Sequence, residues 1–284
     1  MKIIVESGAT KSDWRYMGEG SSQSRRALAG TNVSSMPMEE VLSVIREGLS
    51  GCEGVDGFYL YTAGVVTEAI REEVKSFVRS LVGNCDIDVQ DDLVGAARAV
   101  LGHGEGIVAI LGTGSNACLY DGSTVHTKVK SGGFILGDDG GASVLGKRFI
   151  ADFLKNRIPE PIASEFASSF DVSYPTIVEN VYRAGRPAAY LGAFAPFIVS
   201  RYDNPYIRTL VDNNFRDFIE KMLKAYDTRT YGVGVVGGFG CACRDIFSRI
   251  CAEEGVRVNG YVAAPIDGLL RYHGCGDKYL EENL

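Results

Sequence analysis

The sequence predicts an α/β protein of two similar domains, and three observations support this. A short apolar strand runs into a glycine-rich turn and a return strand twice, at residues 3–16 and again at 107–120. Strands and amphipathic helices alternate after each of these hairpins. The length of 284 residues suits about two domains, since one domain averages roughly 100–200 residues.

The first half opens with a hairpin. Its parts are the strand Ile3–Val5, a turn of small residues from Glu6 to Lys11, and the return strand Trp14–Tyr16. The further elements complete the order β-β-β-α-β-α-β-α: helices over 38–49, 66–82 and 93–101, and strands over 58–61 and 87–89.

Two acids, Asp91 and Asp92, stand between the predicted strand at 87–89 and the helix at 93–101. Either carboxylate is suited to cap that helix, because it would accept hydrogen bonds from free N–H groups at the helix start. The carboxyl end of a strand is also where α/β proteins keep ligand-binding and catalytic groups. Both interpretations stay open on these residues alone.

The central hairpin is the second strand–glycine–strand unit. The apolar run Ile107–Leu111 ends at Gly112 and Gly114, and a return strand reaches Tyr120. Gly112, Gly114 and Ala117 nominally match a dinucleotide-binding fingerprint, but that motif must open a helix, and a strand is predicted here. A turn of this kind exposes backbone N–H groups that can hold a phosphate.

A polar, glycine-rich link at 102–105 is the predicted boundary between domains of 1–103 and 104–284. The second domain is expected to continue with further strands and helices around an aromatic-rich helical insertion. The insertion over 161–227 is predicted to be helical with breaks at Pro175, Gly185–Pro187 and Asn204-Pro205. The other elements are a third strand over 124–129, helices over 142–154, 241–255 and 266–272, and strands over 231–236 and 257–259. The last helix is a candidate to pack back on the first domain.

Composition excludes several classes of function. A formal charge of -7 disfavours nucleic acid or an anionic membrane as the main partner. No apolar run approaches the roughly 20 residues of a membrane span, and we expect a cytoplasmic protein. The seven cysteines are scattered among apolar residues, which favours reduced thiols. Cys241 and Cys243 stand too close together for the usual zinc-ligand spacing.

Four segments, in this order, resemble the BadF/BadG/BcrA/BcrD ATPase family and its N-acetylglucosamine kinase branch within the actin–hexokinase superfamily. They are Glu6–Lys11, Gly112–Asn116, Gly137–Gly140 and Val235–Gly238. The resemblance covers essentially the whole chain. It implies two ribonuclease H-like, or actin-like ATPase, domains that close on ATP and a sugar.

The resemblance also implies site residues. Asp92 matches the acid beside the acceptor hydroxyl and is the catalytic candidate, and Glu6 matches a carboxylate that holds Mg²⁺, through water. The candidates for binding ATP are Gly8, Thr10, Lys11, Gly112, Thr113, Gly114, Gly237 and Gly238. The candidates for binding the sugar are Asn32, Asp92, Ser115, Asn116 and Asp138.

The function that the resemblance implies is ATP-dependent phosphoryl transfer to a primary hydroxyl of an amino sugar, N-acetylglucosamine or a related hexose. Two alternatives stay open: an ATPase without a sugar substrate that acts on a partner protein, and a non-catalytic sugar sensor. One departure, Asp139-Gly140-Gly141 in place of the usual Glu-Gly-Ser, bears on the choice of sugar and on whether catalysis is retained. The aromatic-rich segment over 161–227 suits a homodimer interface as well as a core.

Overall fold

The computed structural model describes residues 1–8, 11–18, 23–33, 36–64 and 67–274. These residues form an α/β protein with two five-stranded mixed sheets flanked by helices, which confirms the predicted fold class. Among the helices in the described ranges, none is long and apolar enough to cross a bilayer.

The first sheet has the strand order β3-β2-β1-β4-β5. Strand β1 pairs antiparallel with β2 and parallel with β4, so the opening hairpin is extended by strands that follow helices. The strands are β1 Lys2–Ser7, β2 Lys11–Met17, β3 Gln23–Ala29, β4 Gly57–Thr62 and β5 Asp86–Gln90, and the helices are α1 Met38–Leu49, α2 Glu68–Val82 and α3 Asp92–Leu101. The predicted element order is therefore confirmed.

The core of the first unit consists of apolar side chains from the strands of this sheet and from one face of each covering helix. Trp14, at the centre, has no exposed surface and packs against the rings of Tyr16 and Phe58. Helices α1 and α2 cover the sheet with apolar stripes that include Ile45 and Val74.

The second sheet has the order β10-β9-β6-β7-β8. Its central strands read as continuous apolar runs because β9 pairs parallel with both β6 and β10 and is buried along its length. The strands are β6 Gly106–Leu111, β7 Ser115–Tyr120, β8 Val125–His126, β9 Val233–Val236 and β10 Val258–Val262.

The strand predicted over 124–129 is wrong in length, since β8 has only two residues. The Lys128 N–H donates to the Tyr226 hydroxyl at 3.1 Å instead of to a neighbouring strand, and the same hydroxyl donates to the Ala117 carbonyl at 2.9 Å. A side chain distant in sequence therefore ends the strand.

Helices fill most of the chain from residue 133 onward. The single helix predicted over 241–255 is wrong, because the chain breaks at Cys243 into two helices, and one short helix at 133–136 was not predicted. The helices are α4 Gly133–Leu136, α5 Ala142–Phe153, α6 Glu160–Ser169, α7 Tyr174–Tyr182, α8 Pro187–Gly192, α9 Ala195–Val199, α10 Pro205–Lys221, α11 Gly238–Ala242, α12 Arg244–Glu253 and α13 Pro265–Tyr272, with a 3₁₀ turn at Leu223–Ala225.

The chain divides into two compact units. The first contains residues 1–104, 120–125 and the described residues from 264 onward, and the second contains 105–119 and 126–263. Helix α13 lies in the first unit and packs on α3, where a Cβ on Gly268 would stand 2.2 Å from the Ala99 carbonyl oxygen. His273, just after α13, bonds to the Tyr61 hydroxyl at 2.7 Å.

Candidate active site

The turn between β6 and β7 is held by the start of α5 in the second unit. The Ala142 N–H donates to the Gly112 carbonyl at 3.0 Å, and the Ser143 N–H donates to the Thr113 carbonyl at 2.9 Å. The Gly112 N–H donates within the turn to the Gly114 carbonyl. The turn is therefore rigidly placed, and the amides of Thr113 and Gly114 are its candidates for binding a phosphate.

Asp138 lies against the first residue of β7. Its carboxylate accepts the Ser115 N–H at 3.2 Å, and the Ser115 hydroxyl donates to the Asp139 carbonyl at 2.6 Å. Burial raises the pKa of Asp138, although the Ser115 N–H and the charge of Lys147 oppose the shift. The structure thus brings together two candidate sugar ligands, and Asn116 is the next residue along β7.

The Asp139-Gly140-Gly141 departure has a structural reason. A Cβ on Gly141 would lie 2.9 Å from the Thr113 carbonyl oxygen and 2.9 Å from the Gly114 carbonyl carbon. A serine there would force the turn and α5 apart. Asp139 is held by Lys221 at 2.9 Å and by Arg148 at 3.5 Å, so its carboxylate serves ion pairs.

Gly237 and Gly238 join β9 to α11. Gly237 has a φ of 120°, which residues with a side chain rarely adopt. A Cβ added at this position would lie 2.4 Å from the Leu111 carbonyl oxygen. Its N–H donates to the Val262 carbonyl at 2.9 Å. The structure therefore places this candidate beside Gly112, whereas Gly238 faces open space.

The paired cysteines Cys241 and Cys243 lie in and just after α11. Cys243 is buried, and burial raises the pKa of its thiol to about 12, which disfavours the thiolate that binds metals. Within the described part of the chain, no three His, Cys, Asp or Glu residues are arranged to hold a metal ion.

In the first unit, Glu6 lies near the end of β1 and faces Asp13 across the antiparallel pair. Burial raises the pKa of Glu6, the charge of Asp13 adds to the shift, and Lys11 opposes it. Asp13 is itself bonded to Arg15 at 2.9 Å and Arg25 at 2.6 Å.

The first candidate phosphate-binding turn follows Glu6. The Gly8 N–H donates to the Lys11 carbonyl at 3.1 Å, and Lys11 is the exposed first residue of β2. Thr10 lies outside the described residues.

The two acids after β5 have different positions. Asp91 is the N-cap of α3, and its carboxylate accepts the Leu93 N–H at 3.0 Å. Asp92 is the first residue of the helix, and its side chain is exposed. The cap, which the sequence left open between the two acids, is therefore Asp91.

Partial desolvation by the surrounding protein raises the pKa of Asp92 from 3.8 to about 7. The hydrogen bond and charge of Asp91 and the charge of Glu6 act in the same direction, and the Leu93 amide acts against them.

Asn32 lies in the loop after β3, and each of its two neighbours in the sequence is hydrogen-bonded to the end of a strand. The N–H of Thr31 donates to the Ser7 hydroxyl oxygen at 2.8 Å, and the N–H of Val33 donates to the Ala63 carbonyl at 3.2 Å. The structure therefore brings Asn32 to the ends of β1 and β4. Sequence reasoning did not single out Ser7 and Thr31, which hold this loop, although each is a small hydroxyl residue beside a glycine.

One solved structure matches nearly the whole chain at substantial identity. It is the "Putative N-acetylglucosamine Kinase" of Porphyromonas gingivalis, which is 34% identical with a TM-score of 0.87 over 96% of this chain and 98% of that one. The chain belongs to the same protein family.

Two further structures share the fold of this family. A "Putative N-acetylglucosamine Kinase" from Chromobacterium violaceum is 17% identical with a TM-score of 0.72, and the match covers 95% of this chain and 97% of that one. A ROK family glucokinase from Streptomyces griseus, solved with glucose and AMPPNP, is 17% identical with a TM-score of 0.50 over 99% of both chains. No protein-family model and no curated protein matches the sequence.

We predict that Gly237→Ala lowers the stability of the protein without ligand by at least about 2 kcal/mol, through backbone strain and contact with the Leu111 carbonyl. Gly238→Ala is the matched control, because its Cβ would meet no atom within 4 Å. Chemical denaturation measures both free energies of unfolding. Equal losses in the two variants would contradict the prediction.

We predict that Asp92→Asn raises the melting temperature at about pH 8 and that the gain shrinks toward about pH 4. A carboxyl group whose pKa is raised on folding destabilises the folded state as pH rises from 3.8 through the folded pKa, and asparagine does not ionise. Thermal denaturation of both proteins across this range checks the sign. A less stable variant at pH 8 would mean that the favourable field at the start of α3 outweighs the like charges.

Proposed function

We propose that this protein is an ATP-dependent sugar kinase of the N-acetylglucosamine kinase branch of the BadF/BadG/BcrA/BcrD family. The acceptor would be a primary hydroxyl of an amino sugar, N-acetylglucosamine or a related hexose. The observation that carries the proposal is the separation of roles at α3, where Asp91 caps the helix and the Asp92 carboxylate stays exposed with a raised pKa. The identity of 34% to the Porphyromonas protein supports it.

The chemistry fits the residues. Phosphoryl transfer asks a protein mainly to align donor and acceptor and to stabilise charge on the phosphoryl oxygens. Asp92 would orient the acceptor hydroxyl and accept its proton, and a pKa raised toward neutrality makes it a stronger base. The amides of Thr113 and Gly114 would stabilise phosphate oxygens.

The remaining candidates divide between the two substrates. Asn32, Ser115, Asn116 and Asp138 would bind the sugar, because each offers hydrogen-bonding atoms suited to hydroxyl groups. Together with Thr113 and Gly114, the residues that would bind ATP are Gly8, Thr10, Lys11, Gly112, Gly237 and Gly238.

One carboxylate of the first unit, that of Glu6, is suited to Mg²⁺. Glu6 supplies a hard carboxylate oxygen, and burial, followed by the charge of Asp13, raises its pKa, so a bound cation would favour its ionised form. Glu6 would hold the ion through water. When bound, Mg²⁺ neutralises phosphate charge.

An assay of ADP release with and without a panel of amino sugars tests the proposal. We expect ADP release that requires an amino sugar, with the sugar phosphate found by mass spectrometry. Sugar-independent ADP release would instead indicate an ATPase that acts on a partner protein. Sugar binding without ADP release would indicate a sensor.

We predict that Asp92→Asn lowers kcat by at least roughly 10²-fold while sugar binding is mostly kept, because a positioned base is lost. The acid limb of the pH profile, where activity falls as Asp92 takes up a proton, should disappear in the residual activity. Asp91→Asn is the control, since asparagine also caps helices well, and its acid limb should persist at lower pH because the charge of Asp91 no longer raises the pKa of Asp92. Normal turnover by Asp92→Asn would remove Asp92 from the mechanism.

A further inference from the structure

A cluster of three hydroxyl side chains is buried in the first unit. Ser7 ends β1, Thr62 ends β4, and Thr31 follows β3, and each has 0% of its surface exposed. Buried polar groups are costly unless they are hydrogen-bonded. The bonds made by this cluster therefore show what it holds in place.

Each hydroxyl proton of the cluster is used in a bond. The Thr62 hydroxyl donates to the Thr31 carbonyl, the Thr31 hydroxyl donates to the Ser7 oxygen at 2.8 Å, and the Ser7 hydroxyl donates to the Gly8 carbonyl at 3.3 Å. The Ser7 oxygen also accepts the Thr31 N–H at 2.8 Å. A hydroxyl has one proton, so the three donations run in one direction along the cluster.

Asn32 is the next residue after the one that this cluster holds. The carbonyl, the N–H and the hydroxyl of Thr31 are all bonded, and on the other side the N–H of Val33 is bonded to Ala63. The position of the Asn32 backbone is thus set by the ends of β1 and β4. A satisfied buried network of this kind holds one geometry because any other would leave polar groups unpaired.

We propose that Thr31 and Thr62 are positioning residues that set the affinity for the acceptor sugar by fixing Asn32. Neither threonine needs to touch the sugar. The proposal rests on the proposed function, in which Asn32 binds the amino sugar. It assigns the hydroxyl of Thr62, 30 positions away in the sequence, to substrate recognition.

The test compares three variants by steady-state kinetics with the amino sugar that the wild type phosphorylates. Thr62→Val keeps the shape but removes the donor to Thr31, Thr62→Ser keeps the donor, and Val78→Ala is a control truncation of a buried side chain in the same unit. We expect Thr62→Val to raise the KM for the sugar about tenfold or more, as for an unpaired buried group, with the KM for ATP changed less than about twofold. Thr62→Ser should restore the wild-type KM, and Val78→Ala should leave it unchanged.

The outcomes separate the two proposals. An active wild type whose KM for the sugar is unchanged in Thr62→Val overturns the positioning role and leaves the kinase intact. A parallel rise in both KM values, or the same rise in Val78→Ala, also overturns it, because general loosening would then explain the effect. A wild type inactive toward every amino sugar overturns the kinase proposal and this inference together. If Thr62→Val does not fold, Thr31→Val is judged by the same criteria.

Discussion

The candidate site of the second unit depends on close contacts between backbone segments, with no side chain between them. Gly141 lies against the Thr113 carbonyl, and Gly237 lies against the Leu111 carbonyl, at distances that a Cβ would not allow. This approach lets the first N–H groups of α5 bond to the β6–β7 turn. The turn, the Asp138 segment and the β9–α11 junction are therefore fixed to one another, which is the rigidity that the proposed phosphate site needs.

The first unit places its functional groups by charge and hydroxyl bonding. Glu6, Asp13 and Asp92 concentrate negative charge, and Arg15 and Arg25 offset only the Asp13 part of it. Folding thus keeps Glu6 and Asp92 in surroundings that raise their pKa values, through burial first and neighbouring negative charge second, and this costs stability. The buried hydroxyl groups of Ser7, Thr31 and Thr62 are all hydrogen-bonded, so the loop of Asn32 carries no comparable cost in stability.

Much of the fold could be predicted because its signals are local. Apolar runs such as Ile107–Leu111 and the glycines after them marked both hairpins, and helical periodicity marked α1 and α2. What failed depended on tertiary contacts or backbone angles: Tyr226 ends β8, and α4 is a single turn. The candidate site was likewise only partly predictable. Sequence motifs suggested its residues, but only the backbone geometry showed which acid caps α3.

The neighbouring acids at the start of α3 also affect how this protein can evolve. Because the cap belongs to Asp91, the start of α3 keeps its hydrogen bond whatever side chain follows, so the proposed catalytic role of Asp92 and the capping of the helix are under separate selection at adjacent codons. On the proposed function, a lineage that no longer needed turnover could lose Asp92 and keep the architecture and the candidate sugar-binding residues. Receptors without activity would then arise within this family by a single exchange.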